Sequence, residues 1–151
     1  MSDTIRSATP VHLWIVGILA TIWNCLGGYD YLMTRMENRD YLKSMMPTVD
    51  PQVTLDWVSG MPIWAQIGWG LGVWAGLAGA LLLLLRSRFA VHAFVLSLVG
   101  MIVSFGEQYL GSPPPAELTQ GPGQYMPIVI LAVGVALFFY SRAMKAKGVL
   151  T

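Results

Sequence analysis

The chain has 151 residues, of which only 11% are Asp, Glu, Lys or Arg and 55% are hydrophobic, whereas soluble proteins carry about 25% charged residues. So little charge excludes an ordinary water-facing surface, and a soluble fold of this length could not bury so much apolar material. A formal net charge of +1 leaves no compositional case for nucleic-acid binding, and the single cysteine, Cys25, permits neither an intrachain disulfide nor a CxxC redox or zinc motif.

The composition describes a polytopic membrane protein, and four apolar stretches are long enough to cross about 30 Å of hydrocarbon. They run over about residues 11–33, 62–85, 89–109 and 125–141. The first follows Arg6 and lacks a small-x-small cleavage site, and bulky Trp23 and Asn24 precede Cys25, so it is expected to remain as an uncleaved span rather than a signal peptide. Along it Gly17, Thr21, Asn24, Gly28 and Tyr31 recur at spacings of four and three, a small or polar stripe expected to face the bundle interior.

Residues 34–61 form the longest loop. Met33, Met36, Leu42, Met45 and Met46 interleave with charged residues in the manner of an amphipathic continuation of the first helix, ended by Pro47. Asp50 and Pro51 then read as an N-cap followed by proline at the first helical position, opening a short helix that runs through Trp57 and closes at Gly60. The second span, entered at Pro62, carries Gly68, Gly72, Gly76 and Ala80 at intervals of four, a face suited to close helix crossing within the bundle or between protomers. The third repeats the small-residue stripe with Ala93, Ser97, Gly100, Ser104, Glu107 and Gly111. Prolines 113–115 and Gly121-Pro122-Gly123 separate it from the fourth.

Basic residues set the orientation. Arg6, Arg86, Arg88, Arg142, Lys145 and Lys147 fall on one side and Arg35, Arg39 and Lys43 on the other, which places both termini in the cytoplasm. The expected fold is therefore all-α, a single four-transmembrane-helix bundle with an amphipathic outer-loop segment.

Few residues could carry chemistry. Asp30 lies nineteen residues after Val11 and Glu107 nineteen after Arg88, roughly 28 Å along a helix, so both carboxylates reach the outer boundary. Parallel first and third helices would bring Asp30, Glu107 and Gln108 to one level, with Asn24 about two turns deeper, a candidate ligand or ion site. A solvated or capping role for the carboxylates, and an interhelical hydrogen bond for Asn24, are the plainer alternatives. His12 and His92 sit at different depths, and the outer-side methionines are accounted for by an amphipathic face, so no metal or cofactor is assigned; a haem- or copper-binding redox protein remains a second alternative. No triad, phosphate loop or zinc motif is present, so an enzyme is not expected.

Leu13-Trp14-Ile15-Val16-Gly17, Trp23-Asn24, Gly28-Tyr29-Asp30-Tyr31-Leu32-Met33-Thr34 and Leu71-Gly72-Val73-Trp74-Ala75-Gly76 resemble a group of small four-helix bacterial inner-membrane proteins. That resemblance implies a bacterial inner-membrane location and, through the label of sugar transporter sometimes given to the group, a hint of transport. The expected function is a non-enzymatic accessory or scaffold component packing against itself, as a homo-oligomer, or against a larger membrane complex. The alternative is a small-solute transporter with a periplasm-facing carboxylate site.

Overall fold

The computed structural model describes residues 9–151, so Arg6, one of the basic residues used for orientation, lies outside the described residues. Among these there are six α-helices and no strand. Helix α1 is Val11–Arg35, α2 Arg39–Met45, α3 Pro51–Gly60, α4 Ile63–Leu84, α5 Ala90–Leu110 and α6 Met126–Ala146, with two 3-10 turns, Ala116–Thr119 and Pro122–Tyr125, between α5 and α6. Helices α1, α4, α5 and α6 are long and apolar enough to cross a membrane. They follow the four predicted spans closely, except that α6 continues five residues beyond Ser141.

The amphipathic continuation of the first helix is corrected. Instead of running on through Met46, the chain breaks after Arg35: Glu37 takes φ 53°, and the Glu37 and Asn38 N–H groups donate to the Thr34 and Met33 carbonyls. These paired bonds to carbonyls left free at a helix end make a Schellman stop, formed here without the usual glycine. Asn38 then caps the new helix by accepting from the Tyr41 N–H at 2.9 Å. Helix α3 forms as its sequence predicts, with the Asp50 carboxylate accepting from the Gln52 N–H at 2.9 Å and Pro51 at the first position.

Packing of the long helices is set by small residues. Helix α4 lies most closely on α5, α1 packs on another face of α4, and α6 lies against α5. A Cβ on Gly100 would stand 2.5 Å from both the Gly68 carbonyl oxygen and the Gly72 nitrogen, so the two backbones touch where any side chain would hold them apart. Ser97 donates to the Gly72 carbonyl at 2.6 Å, an interhelical bond made where lipid offers no alternative partner. Gly68, Gly72, Gly76, Ala80, Gly100 and Ser104 are all buried. The small-residue face that could have served either purpose is thus covered within the chain, by α5 and, at Gly76, also by Asn24 of α1.

The opposite faces are apolar and open. On α1, Ile15, Leu19, Ile22 and Leu26 form an exposed stripe at spacings of four and three, the surface a helix presents to lipid rather than water. The core gathers at the end of the bundle where α1 begins and α6 finishes, where Leu13, Leu83, Phe94, Met144, Val149 and Leu150 pack together. There Arg86 and Thr151 exchange backbone contact through a 2.8 Å bond from the Thr151 N–H to the Arg86 carbonyl, and His12 Nδ1 meets the Tyr140 hydroxyl at 2.5 Å, joining α1 to α6.

Candidate functional site

The other end of the bundle is not filled. There α3 packs against α2 and buries Thr54, Leu55 and Val58, and its Thr54, Trp57 and Val58 help to line an open chamber of about 490 Å³. Small-molecule sites fall in the range of about 300–1,000 Å³.

Five polar side chains reach its wall: Asp30 from α1, Thr54 from α3, Gln108 from α5, and Thr119 and Gln124 from the α5–α6 connection. Trp57, Trp69 and Tyr109 supply aromatic surface, and Met46, Met61 and Met126 supply thioethers. The Thr54 hydroxyl has no hydrogen-bond partner. Trp57 is held by its indole N–H, which donates to the Ser112 carbonyl at 3.1 Å and so ties α3 to the chain leaving α5. Tyr31, on the neighbouring stripe of α1, packs edge-on against Trp69 with ring centroids 4.6 Å apart.

Asp30 accepts a hydrogen bond from the Tyr41 hydroxyl at 2.9 Å. Burial, followed by the hydrogen bond and charge of Asp30, pushes the Tyr41 phenol up to about 12, so it remains a donor throughout the physiological range. The break between α1 and α2 creates this contact: a continuous helix would have carried Tyr41 away from Asp30, whereas the turn at Glu37 folds it back. No sequence signal paired these two residues.

The predicted site is divided. Asp30 and Gln108 share the chamber, but Glu107 is not among its lining residues. Its buried side chain bends back over Gly111 and accepts from the Ser112 hydroxyl at 2.9 Å. Glu107, Ser112 and Trp57 thus form one connected link between α5 and α3. Asn24 lies deeper, lining a gap of only about 10 Å³ with Gly76, Ser97 and Met101, and its amide donates to the Ala20 carbonyl at 2.8 Å. Ile130 lines both spaces and stands between them.

Thr54, Trp57 and Trp69 were missed as wall residues. The tryptophans carried only the general signal of interfacial aromatics, and Thr54 carried none, because its position depends on how α3 packs. His12 is engaged with Tyr140, while His92 is exposed beside Phe89, ring centroids 5.9 Å apart. No group of three or more His, Cys, Asp or Glu placed to hold a metal occurs among the described residues.

Fold and lipid-facing surface together define the class: a small multi-pass membrane protein built as a four-helix bundle. No protein-family model, curated protein or solved structure matches the chain.

Proposed function

We propose that this is a non-enzymatic accessory protein of the bacterial inner membrane that holds a small solute in the chamber beside α3. The observation that carries the reading is the chamber, of ligand-sized volume and walled by aromatic and hydrogen-bonding side chains. The distribution of basic residues supports an orientation with both termini in the cytoplasm and the chamber facing the periplasm. An accessory role is favoured over transport by the isolated chain because α4 and α5 touch backbone to backbone at Gly68, Gly72 and Gly100, and the gap at Asn24 is about 10 Å³, room for about one water molecule. Solute delivery to a larger membrane complex then gives the site a purpose, and that complex or a second copy would meet the chain on faces other than the small-residue stripe of α4.

Gly123→Trp tests the reading. Gly123 lines the chamber, and a Cβ there would meet nothing within 4 Å, so a bulky side chain can be started there without a clash at its first atom. Compounds that raise the unfolding temperature of the full-length protein in nanodiscs should lose that effect in Gly123→Trp. Equal stabilisation of both proteins, or no stabilising compound in a broad small-molecule screen, would refute the site. Proteoliposomes holding the protein alone should show no solute flux.

A further inference from the structure

Within the chamber, charge and ring surface are arranged unevenly. Asp30 is the single charged side chain among the described residues that line it. The basic residues of the same end are turned to neutral acceptors: Arg35 donates to the Gln66 amide oxygen at 2.7 Å, Arg39 to the Gln52 amide oxygen, and Lys43 to the Val49 carbonyl at 3.4 Å. Tyr41 occupies one position on Asp30 Oδ1, and a carboxylate accepts several hydrogen bonds. An anion entering here would face the Asp30 carboxylate with no cation on the wall to offset it. A cation would meet that carboxylate in a space whose wall also carries Trp and Tyr rings, the side chains whose electron-rich faces attract cations.

We propose that the chamber selects a lipophilic organic cation, an amine or quaternary ammonium ion with an apolar body, with Asp30 as counter-ion and Trp57, Trp69 and Tyr109 as walls. The proposal rests on the chamber being a binding site and adds the charge and polarity of what it takes. Three groups divide the work. Asp30 supplies charge, the rings supply cation–π and apolar contact, and the Gln108 and Gln124 amides are the polar groups available to orient the ligand.

Calorimetric titration of the full-length protein in nanodiscs tests this with 2-phenylethylammonium and benzyltrimethylammonium against neutral 2-phenylethanol and glucose. The cations should bind about tenfold or more tighter than 2-phenylethanol, and glucose should not compete. Asp30→Asn, which keeps an oxygen for the Tyr41 hydroxyl, should erase the difference between cation and alcohol. Equal affinity for cation and alcohol in the wild type overturns the proposal without recourse to any variant, as does preferential binding of glucose or failure of both cations to bind. If neutral ligands bind the wild type and Gly123→Trp abolishes that binding, the chamber reading survives and only the cation preference falls; binding indifferent to Gly123→Trp removes both.

Discussion

At the scale of single residues, the contact between Tyr41 and Asp30 decides how the loop end of the bundle is tied. The phenol, ordinarily near 10, is pushed up to about 12 by burial and by the adjacent carboxylate. The folded protein therefore holds this proton more tightly than the unfolded chain does, so the contribution is complete below about pH 10 and is lost as pH rises through about 12. Tyrosinate absorbance should lose one late-ionising phenol in Tyr41→Phe, whose stability should also fall less steeply over the same interval. Glu107 teaches a different lesson. Although intramembrane carboxylates are functional candidates by default, this one accepts a hydroxyl from Ser112, whose carbonyl in turn receives the Trp57 indole. Its work is to fasten α3, and Glu107→Gln should leave ligand binding in the chamber within about twofold of wild type in the titrations above, a small change beside the tenfold unit of 1.4 kcal/mol.

At the scale of elements, the crossing of α4 and α5 is the most demanding contact. Backbone atoms of Gly68 and Gly72 stand where a Gly100 side chain would be, and backbone cannot rotate out of the way as a flexible side chain can. Gly100→Ala should cost about 1–3 kcal/mol through overpacking. Gly27→Ala is the matched control, since a Cβ there meets nothing within 4 Å, and the exchange should be neutral or raise stability by up to about 1 kcal/mol from helix propensity. Reversible unfolding in mixed micelles would separate the two; equal effects would mean that the helices are not in backbone contact. The break at Glu37 matters as much to the site as this crossing, because it turns Tyr41 back onto Asp30 instead of extending α1 away from it.

For the whole molecule, the two ends of the bundle differ in kind. One is closed by side chains from α1, α4, α5 and α6 and by the C-terminal segment, in which Val149 and Leu150 are each only 4% exposed. The other is left hollow, with α3 forming part of its wall. Leu150→Ala should lower stability by about 2–5 kcal/mol, the usual range for emptying a buried leucine site, while leaving the affinity of the chamber for its ligand unchanged. Thermal unfolding and binding measured on the same sample would show whether the two ends are independent in this way.

The four spans were legible from sequence because hydrocarbon imposes a length and a polarity that few other folds require, and the buried stripes were legible because small residues recur at helical spacing. Asp50 and Pro51 announced α3 for the equally local reason that a cap and a first-turn proline act within a few residues. The site was only partly legible. Asp30 and Gln108 stood out as polar residues at the membrane boundary, but whether Glu107 joined them depended on rotation about its side chain and on Ser112, neither of which periodicity reports. Whether the glycine face of α4 met α5 or another protomer was equally open, since its sequence satisfies both. Composition and hydropathy by themselves determined that the chain is a four-helix membrane protein, because those properties answer to the solvent around it. Tertiary structure decided that Thr54, Trp57 and Trp69 wall a chamber with Asp30, because that depends on a turn at Glu37 and a fold of α3 that bring together residues remote in the chain.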